Sequence, residues 1–423
     1  MYNFKNIDNR YKVPIYFQKL PTGVNSVALN WVYFVGSADD ELVGGKPGLF
    51  HWFEHVPFRG TKKFPGGYQA IDRPIARHGG SINASTTELA TAFDISIPKN
   101  MWRQGLDLVS DVAFRPLIRT KDVEAEREVI HKEIIASQSD VEDSAWERAS
   151  QILYPDHPLG HSIVGSPKTL GSMNASHLRE AFKRGYDRWR MAFLASGDLN
   201  AEELREAVYK AFEKAPNHDL PSRTFGECWK RQPWSAGKTT VEKTGFPSSI
   251  VMFLFQFPAW TGGGDSPDQV WRHSMAQEML WAGDLASPLY QVLREDRNLV
   301  YEISDESAPF MGGGHWGFTV ETSPGDEKEV VRAFWDVVRD RKNRSRERFE
   351  YVRDTIRGRI AMVPLHPSSF VEHAQEHLIR LGELASVYEA ADKLLAQPYN
   401  KVVEVMEGLN ENMAQTIIMK GTR

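Results

Sequence analysis

Five consecutive residues, His51-Trp52-Phe53-Glu54-His55, hold the densest chemistry of this chain. In a helix, side chains four residues apart share a face one turn from each other, so both imidazoles can reach one metal ion. Glu54 falls on nearly the same face, a carboxylate placed to take a proton from water at that metal. The order H-x-x-E-H inverts the H-E-x-x-H helix of zinc hydrolases. The chemistry it predicts is metal-assisted hydrolysis of a peptide bond. The pattern recurs at His373-Ala374-Gln375-Glu376-His377, so context must choose between the copies.

A catalytic zinc takes three protein ligands and keeps its fourth position open. Downstream of the first copy, Glu124 to Glu133 is a run of mostly good helix formers. Glu126 and Glu133, seven apart, project from one face two turns from each other. Glu133 can serve as third ligand, with Glu126 beside it. Taken alone, so carboxylate-rich a helix reads as a solvated surface. For the second copy, Glu404 and Glu407 are the candidate partners, and an ordinary helical histidine pair is the expectation. His157 and His161, interrupted by Pro158 and Gly160, read as a loop.

Together these segments resemble the pitrilysin and mitochondrial-processing-peptidase family. The resemblance rests on Gly36-Ser37-Ala38-Asp39, on Gly48 to Thr61 around the first histidine motif, and on Glu126-Arg127-Glu128-Val129-Ile130-x-x-Glu133. It implies that His51, His55 and Glu133 hold Zn2+, that Glu54 is the general base, and that Glu126 supports it. Gly79 to Thr86 resembles the family's substrate strand, which assigns substrate binding to Asn83 and Ala84. An exposed edge strand pairs with extended peptides through backbone hydrogen bonds. Leu293-Arg294-Glu295-Asp296-Arg297-Asn298-Leu299-Val300-Tyr301 resembles the family's arginine–tyrosine pair, Arg294 and Tyr301, which closes over the zinc site. Asn298 departs from the usual glycine there, and Val300 from a small residue. Chains of this length in the family pair into a shell around a chamber, which implies a homodimer, or a heterodimer with a related chain.

Composition narrows the alternatives. Fifty-one Lys and Arg stand against 56 Asp and Glu, a net charge of −5, so no basic footprint for nucleic acid is present. The single cysteine, Cys228, cannot form an internal disulfide and suits a reducing compartment. No apolar run approaches a membrane span, and the first residues lack the apolar core of a signal peptide. A cytoplasmic protein without membrane or nucleic-acid partners is expected.

The residues must be positioned by two similar halves. Val27 to Val35 reads as a buried strand. A helix at the histidine motif follows, then a helix near Tyr68–His78, strands across 81–97, helices over most of 101–140 and 175–184, and a strand near 191–199. Residues 217–244 turn rich in Pro, Ser, Gly and mixed charge, a candidate linker. The order then repeats, with a strand at 249–257, helices at 268–281 and 287–296, a strand pair near 301–321, and three more helices. The predicted class is α+β, with two structurally similar sandwich domains of mostly antiparallel sheet covered by helices, related by duplication. Residues 1–225 form the zinc-binding catalytic domain, and 226–423 the homologous domain carrying Arg294 and Tyr301. Gly262-Gly263-Gly264 and Gly312-Gly313-Gly314 read as flexible turns. The expected function is a zinc metalloendopeptidase acting on peptides or small unfolded proteins. The alternative is a non-catalytic scaffold or one subunit of a heterodimeric processing peptidase.

Overall fold

The computed structural model describes residues 3–11, 13–222, 234, 236–260 and 267–422. Cys228, Gly262-Gly263-Gly264 and the middle of the expected linker lie outside the described residues. The chain forms two compact units.

The first unit is built on a six-stranded sheet of order β1-β2-β6-β3-β5-β4. Its strands are β1 (Lys5–Asn6), β2 (Ile15–Lys19), β3 (Ser26–Tyr33), β4 (Ser81–Thr86), β5 (Thr91–Pro98) and β6 (Met191–Gly197). β2 pairs parallel to β6, whereas the β6–β3, β3–β5 and β5–β4 pairs are antiparallel. Alternation along a strand sorts side chains to opposite faces. Val27, Leu29, Trp31 and Tyr33 of β3 join Phe93 and Ile95 of β5 and Phe193 of β6 in one apolar cluster. That core also takes Leu106, Val109 and Val112 of the helix Trp102–Phe114. β4, at the sheet edge, is the strand expected to carry Asn83 and Ala84.

The second unit repeats this plan. Its strands are β7 (Lys238–Lys243), β8 (Ser249–Gln256), β9 (Val300–Phe310), β10 (Gly313–Thr322) and β11 (Ala414–Lys420), in the order β7-β11-β8-β10-β9. β7 runs parallel to β11, and the remaining pairs are antiparallel. Strand for strand, the order and sense of pairing match β2-β6-β3-β5-β4. The expected pair of similar α+β domains is therefore present, with β1 as an addition to the first.

The division differs from contiguous halves at 1–225 and 226–423 in two segments. Ser139–Pro155 belongs to the second unit and Pro364–Tyr388 to the first. The cause is helix packing. The helix Pro367–Leu381 buries Phe370, Val371, Ala374 and Leu378 and packs on β3 and β6. The helix Val141–Leu153 packs on β8 and β11, the corresponding strands of the other sheet. Each unit thus covers one sheet face with a helix drawn from the other half of the sequence. The glycines at 313 and 314 are not a loose turn but open β10 opposite Phe310 and Pro309. A Cβ at Gly314 would meet the Ala308 carbonyl oxygen at 2.1 Å. Among the described residues, no helix is long and apolar enough to cross a membrane.

Candidate active site

The histidine motif occupies a short helix, Leu49–His55, whose apolar residues Leu49, Phe50, Trp52 and Phe53 are buried. That leaves His51, Glu54 and His55 on the remaining face. Three contacts hold the helix in place. The buried Asp40 carboxylate accepts hydrogen bonds from Gly48 N at 2.8 Å and Phe50 N at 2.9 Å, satisfying amides that a helix N-terminus leaves unpaired. Phe53 stacks on Phe182 with ring centroids 5.6 Å apart. Gly185 lets the helix Ala175–Gly185 approach, since a Cβ there would meet the Phe50 ring at 2.8 Å.

The helix Thr120–Ser139 lies alongside, with the Arg127 guanidinium 4.6 Å from the centroid of the Trp52 ring. Val123, Glu126, Ile130 and Ile134 form its buried face. Glu133, one turn beyond Ile130, reaches the histidines. Its Oε2 lies 3.4 Å from His55 Nε2 and 3.9 Å from His51 Nε2, and ligand atoms of all three residues fall within 4.8 Å of one another. Two ligands about 2.0–2.1 Å from a tetrahedral zinc stand roughly 3.3–3.4 Å apart, which the His55–Glu133 pair matches, while the His51–Glu133 pair is somewhat wider. Glu133 Oε2 and Glu54 Oε2 are buried without a hydrogen-bond partner, a costly arrangement unless a cation or substrate engages them. Two imidazoles and a carboxylate are also one of the donor sets found at catalytic zinc sites.

The electrostatics suit this assignment. Burial holds His51 down to about 4, so it stays neutral, the ligating form, at neutral pH. Burial works against a charge on His55 as well. The surrounding carboxylates of Glu126, Glu133 and Glu54 outweigh it and raise that histidine. Burial lifts Glu54 above the usual carboxylate range, with Thr86 and His55 opposing. A base poised nearer neutrality is the useful one. Burial would also raise Glu126, yet its contacts with His55 and Arg59 hold it low.

The sequence did not single out Arg59 and Tyr68. Both meet Glu126 Oε1, Arg59 through Nε and Tyr68 through its hydroxyl at 3.2 Å. Arg59 sits within the motif stretch, but nothing in its spacing announces a partner in a distant helix.

The second histidine copy lies on Pro367–Leu381, its ring centroids 4.9 Å apart, the same as in the first pair. Among the described residues no third donor joins it, since His51, His55 and Glu133 form the one such group. His157 caps a 3-10 turn, Pro158–Gly160, and accepts from Leu159 N.

In the second unit, the helix Pro267–Leu280 follows β8 as the histidine helix follows β3. There His273 contacts the Gln269 carbonyl, and Gln277, four residues on, donates to the carbonyls of Glu306 and Gly317. Gln277 thus occupies the position four residues after His273 that a second histidine would need. Arg294 lies on a π-helical stretch, Gln291–Asp296, a geometry frequent at functional sites. Asn298 adopts φ 50, the left-handed conformation a glycine would take and one asparagine tolerates. Tyr301 is exposed, and its hydroxyl lies 2.7 Å from Ser323 Oγ.

The chain matches the description Insulinase (Peptidase family M16) over residues 25–167 and Peptidase M16 inactive domain over 172–356. It is 25% identical over 306 residues to a protein of Streptomyces coelicolor described as an uncharacterised zinc protease. That alignment spans 71% of this chain and 64% of the relative, so the chain covers less than two thirds of that protein. In fold it is similar to a protease from Helicobacter pylori, with a TM-score of 0.86 at 19% identity, covering 99% of this chain and all of that one. Pitrilysin superposes with a TM-score of 0.74 at 20% identity, over 99% of this chain and 45% of pitrilysin. The chain belongs to peptidase family M16.

Proposed function

We propose that the chain is a zinc metalloendopeptidase that cleaves peptides or small unfolded proteins inside a dimeric chamber. The observation that carries the proposal is the convergence of ligand atoms of His51, His55 and Glu133 to within 4.8 Å of one another, with Glu54 on the same face of the helix. The zinc-protease descriptions of its relatives support the same reading.

His51 and His55 through Nε2, and Glu133 through Oε2, would hold the ion. Bound there, zinc supplies a Lewis acid that polarises a carbonyl and brings water toward a pKa of roughly 7. The protein's own residues do the rest. Glu54 takes the proton of the attacking water and returns one to the departing amine, without a covalent intermediate. The free edge of β4, around Asn83 and Ala84, holds the peptide extended. Tyr301, paired with Arg294, serves the oxyanion, since a donor aimed at developing charge is worth most in a dry site.

The test offers purified protein a quenched mixed peptide library beside small esters and amides. Cleavage confined to peptides, lost on chelation and restored by zinc, is the expected result. Turnover of small esters or amides alone, or cleavage indifferent to chelation, would contradict it.

A further inference from the structure

Glu126 is fully buried in the first unit, and its two oxygens are divided between different neighbours. Oε2 lies 3.4 Å from His55 Nδ1. Oε1 meets Arg59 Nε and the Tyr68 hydroxyl. A carboxylate whose two oxygens were equally free could rotate and exchange them. Here two donors occupy one oxygen and leave the other for the histidine.

The donors are themselves fixed. Arg59 ends the 3-10 turn Val56–Arg59 that continues the histidine helix. Its carbonyl accepts a 2.8 Å hydrogen bond from Arg119 Nη2. Its guanidinium lies 5.2 Å from the centroid of the Tyr68 ring, and that ring stacks on Phe58 with 12° between planes. The path from Phe58 to His55 is therefore continuous: Tyr68 and Arg59, then Glu126, then the imidazole.

We infer that Arg59 and Tyr68 are positioning residues that clamp Glu126 and, through it, set the tautomer and orientation of His55 for metal binding. A ligating histidine that donates its other N–H to a carboxylate is held in one ring orientation and made more basic, and loss of such outer partners costs roughly 10–100-fold in metal affinity. This inference rests on the zinc reading above and adds the side chains that hold the second histidine.

The experiment measures the zinc dissociation constant by competition with a chromogenic chelator, needing no substrate. Wild type, Arg59→Met, Tyr68→Phe, Glu126→Gln and the double variant Arg59→Met/Glu126→Gln are compared. Arg59→Met should weaken zinc binding roughly tenfold or more, and Tyr68→Phe by a smaller factor in the same direction. Arg59→Met should cost little further in the Glu126→Gln background, because its effect runs through that carboxylate. Tyr68→Phe removes one hydroxyl from a half-exposed residue and keeps the test open should Arg59→Met fail to fold. Zinc binding within twofold of wild type in both single variants would overturn the clamp. So would an equal loss from Arg59→Met with and without Glu126. A wild type that binds no zinc would overturn the zinc assignment and the clamp with it.

Discussion

His55 and Glu133 come from separate helices, yet His55 Nε2 and Glu133 Oε2 lie 3.4 Å apart. Neither helix alone brings the three donor groups together. The site exists because Trp52 and Phe53 bury one side of the histidine helix, while Arg127 and Ile130 set the rotation of its neighbour.

Metal retention should separate the two histidine motifs. His51→Ala is expected to lose stoichiometric zinc, while His373→Ala keeps it, since no third donor joins His373 and His377 among the described residues. Zinc content after gel filtration in a weak chelator reads the difference. Equal loss in both variants would return the second motif to consideration.

Tyr301→Phe is expected to lower kcat by roughly 10²–10³, the usual effect of removing an oxyanion donor, and to leave zinc content and KM nearly unchanged. Steady-state kinetics with one quenched peptide reads the split. A change confined to KM would make Tyr301 a binding residue instead.

If β4 pairs with the substrate, its backbone is what the peptide meets. Methylating single amide nitrogens of a good substrate near the scissile bond should raise KM at alternate positions. Each lost hydrogen bond is worth about 1 kcal/mol, roughly fivefold. A uniform insensitivity to methylation would remove the edge-strand role from Asn83 and Ala84.

The Asp40 carboxylate that holds the histidine helix gives stability a pH dependence. Burial pushes it up to about 8, against about 3.9 in an unfolded chain. Between these values the unfolded state releases this proton while the folded state keeps it. The Asp40 contribution to stability therefore falls as pH rises from about 4 to about 8 and is level above that. Urea unfolding of metal-free protein at pH 5 and pH 8 should show a smaller loss for Asp40→Asn than for wild type. An identical loss in both would assign the dependence to other groups.

The grouping of His51, Glu54 and His55 on one face was legible because helical periodicity puts it there. Glu126 and Glu133, in contrast, read alone as a solvated helix and were joined to the histidines only through the family resemblance. The repeated order of strands gave the two-unit plan, since alternation and apolar runs are local signals. The exchange of Val141–Leu153 and Pro367–Leu381 was not legible. An amphipathic helix declares that it has an apolar face but not which sheet will cover it. The two histidine motifs could not be separated by spacing, because the spacing is the same in both, whereas the third donor that joins only the first among the described residues is a matter of tertiary position. Arg59 and Tyr68 stayed hidden because their partner, Glu126, is distant in sequence and reached only after folding.

The most direct measurement is zinc per chain together with peptide cleavage, in wild type beside Glu54→Gln. One zinc in each protein, with cleavage in the wild type alone, is the predicted result. Full cleavage by Glu54→Gln would contradict Glu54 as the base, and a wild type without zinc would contradict the metal centre itself.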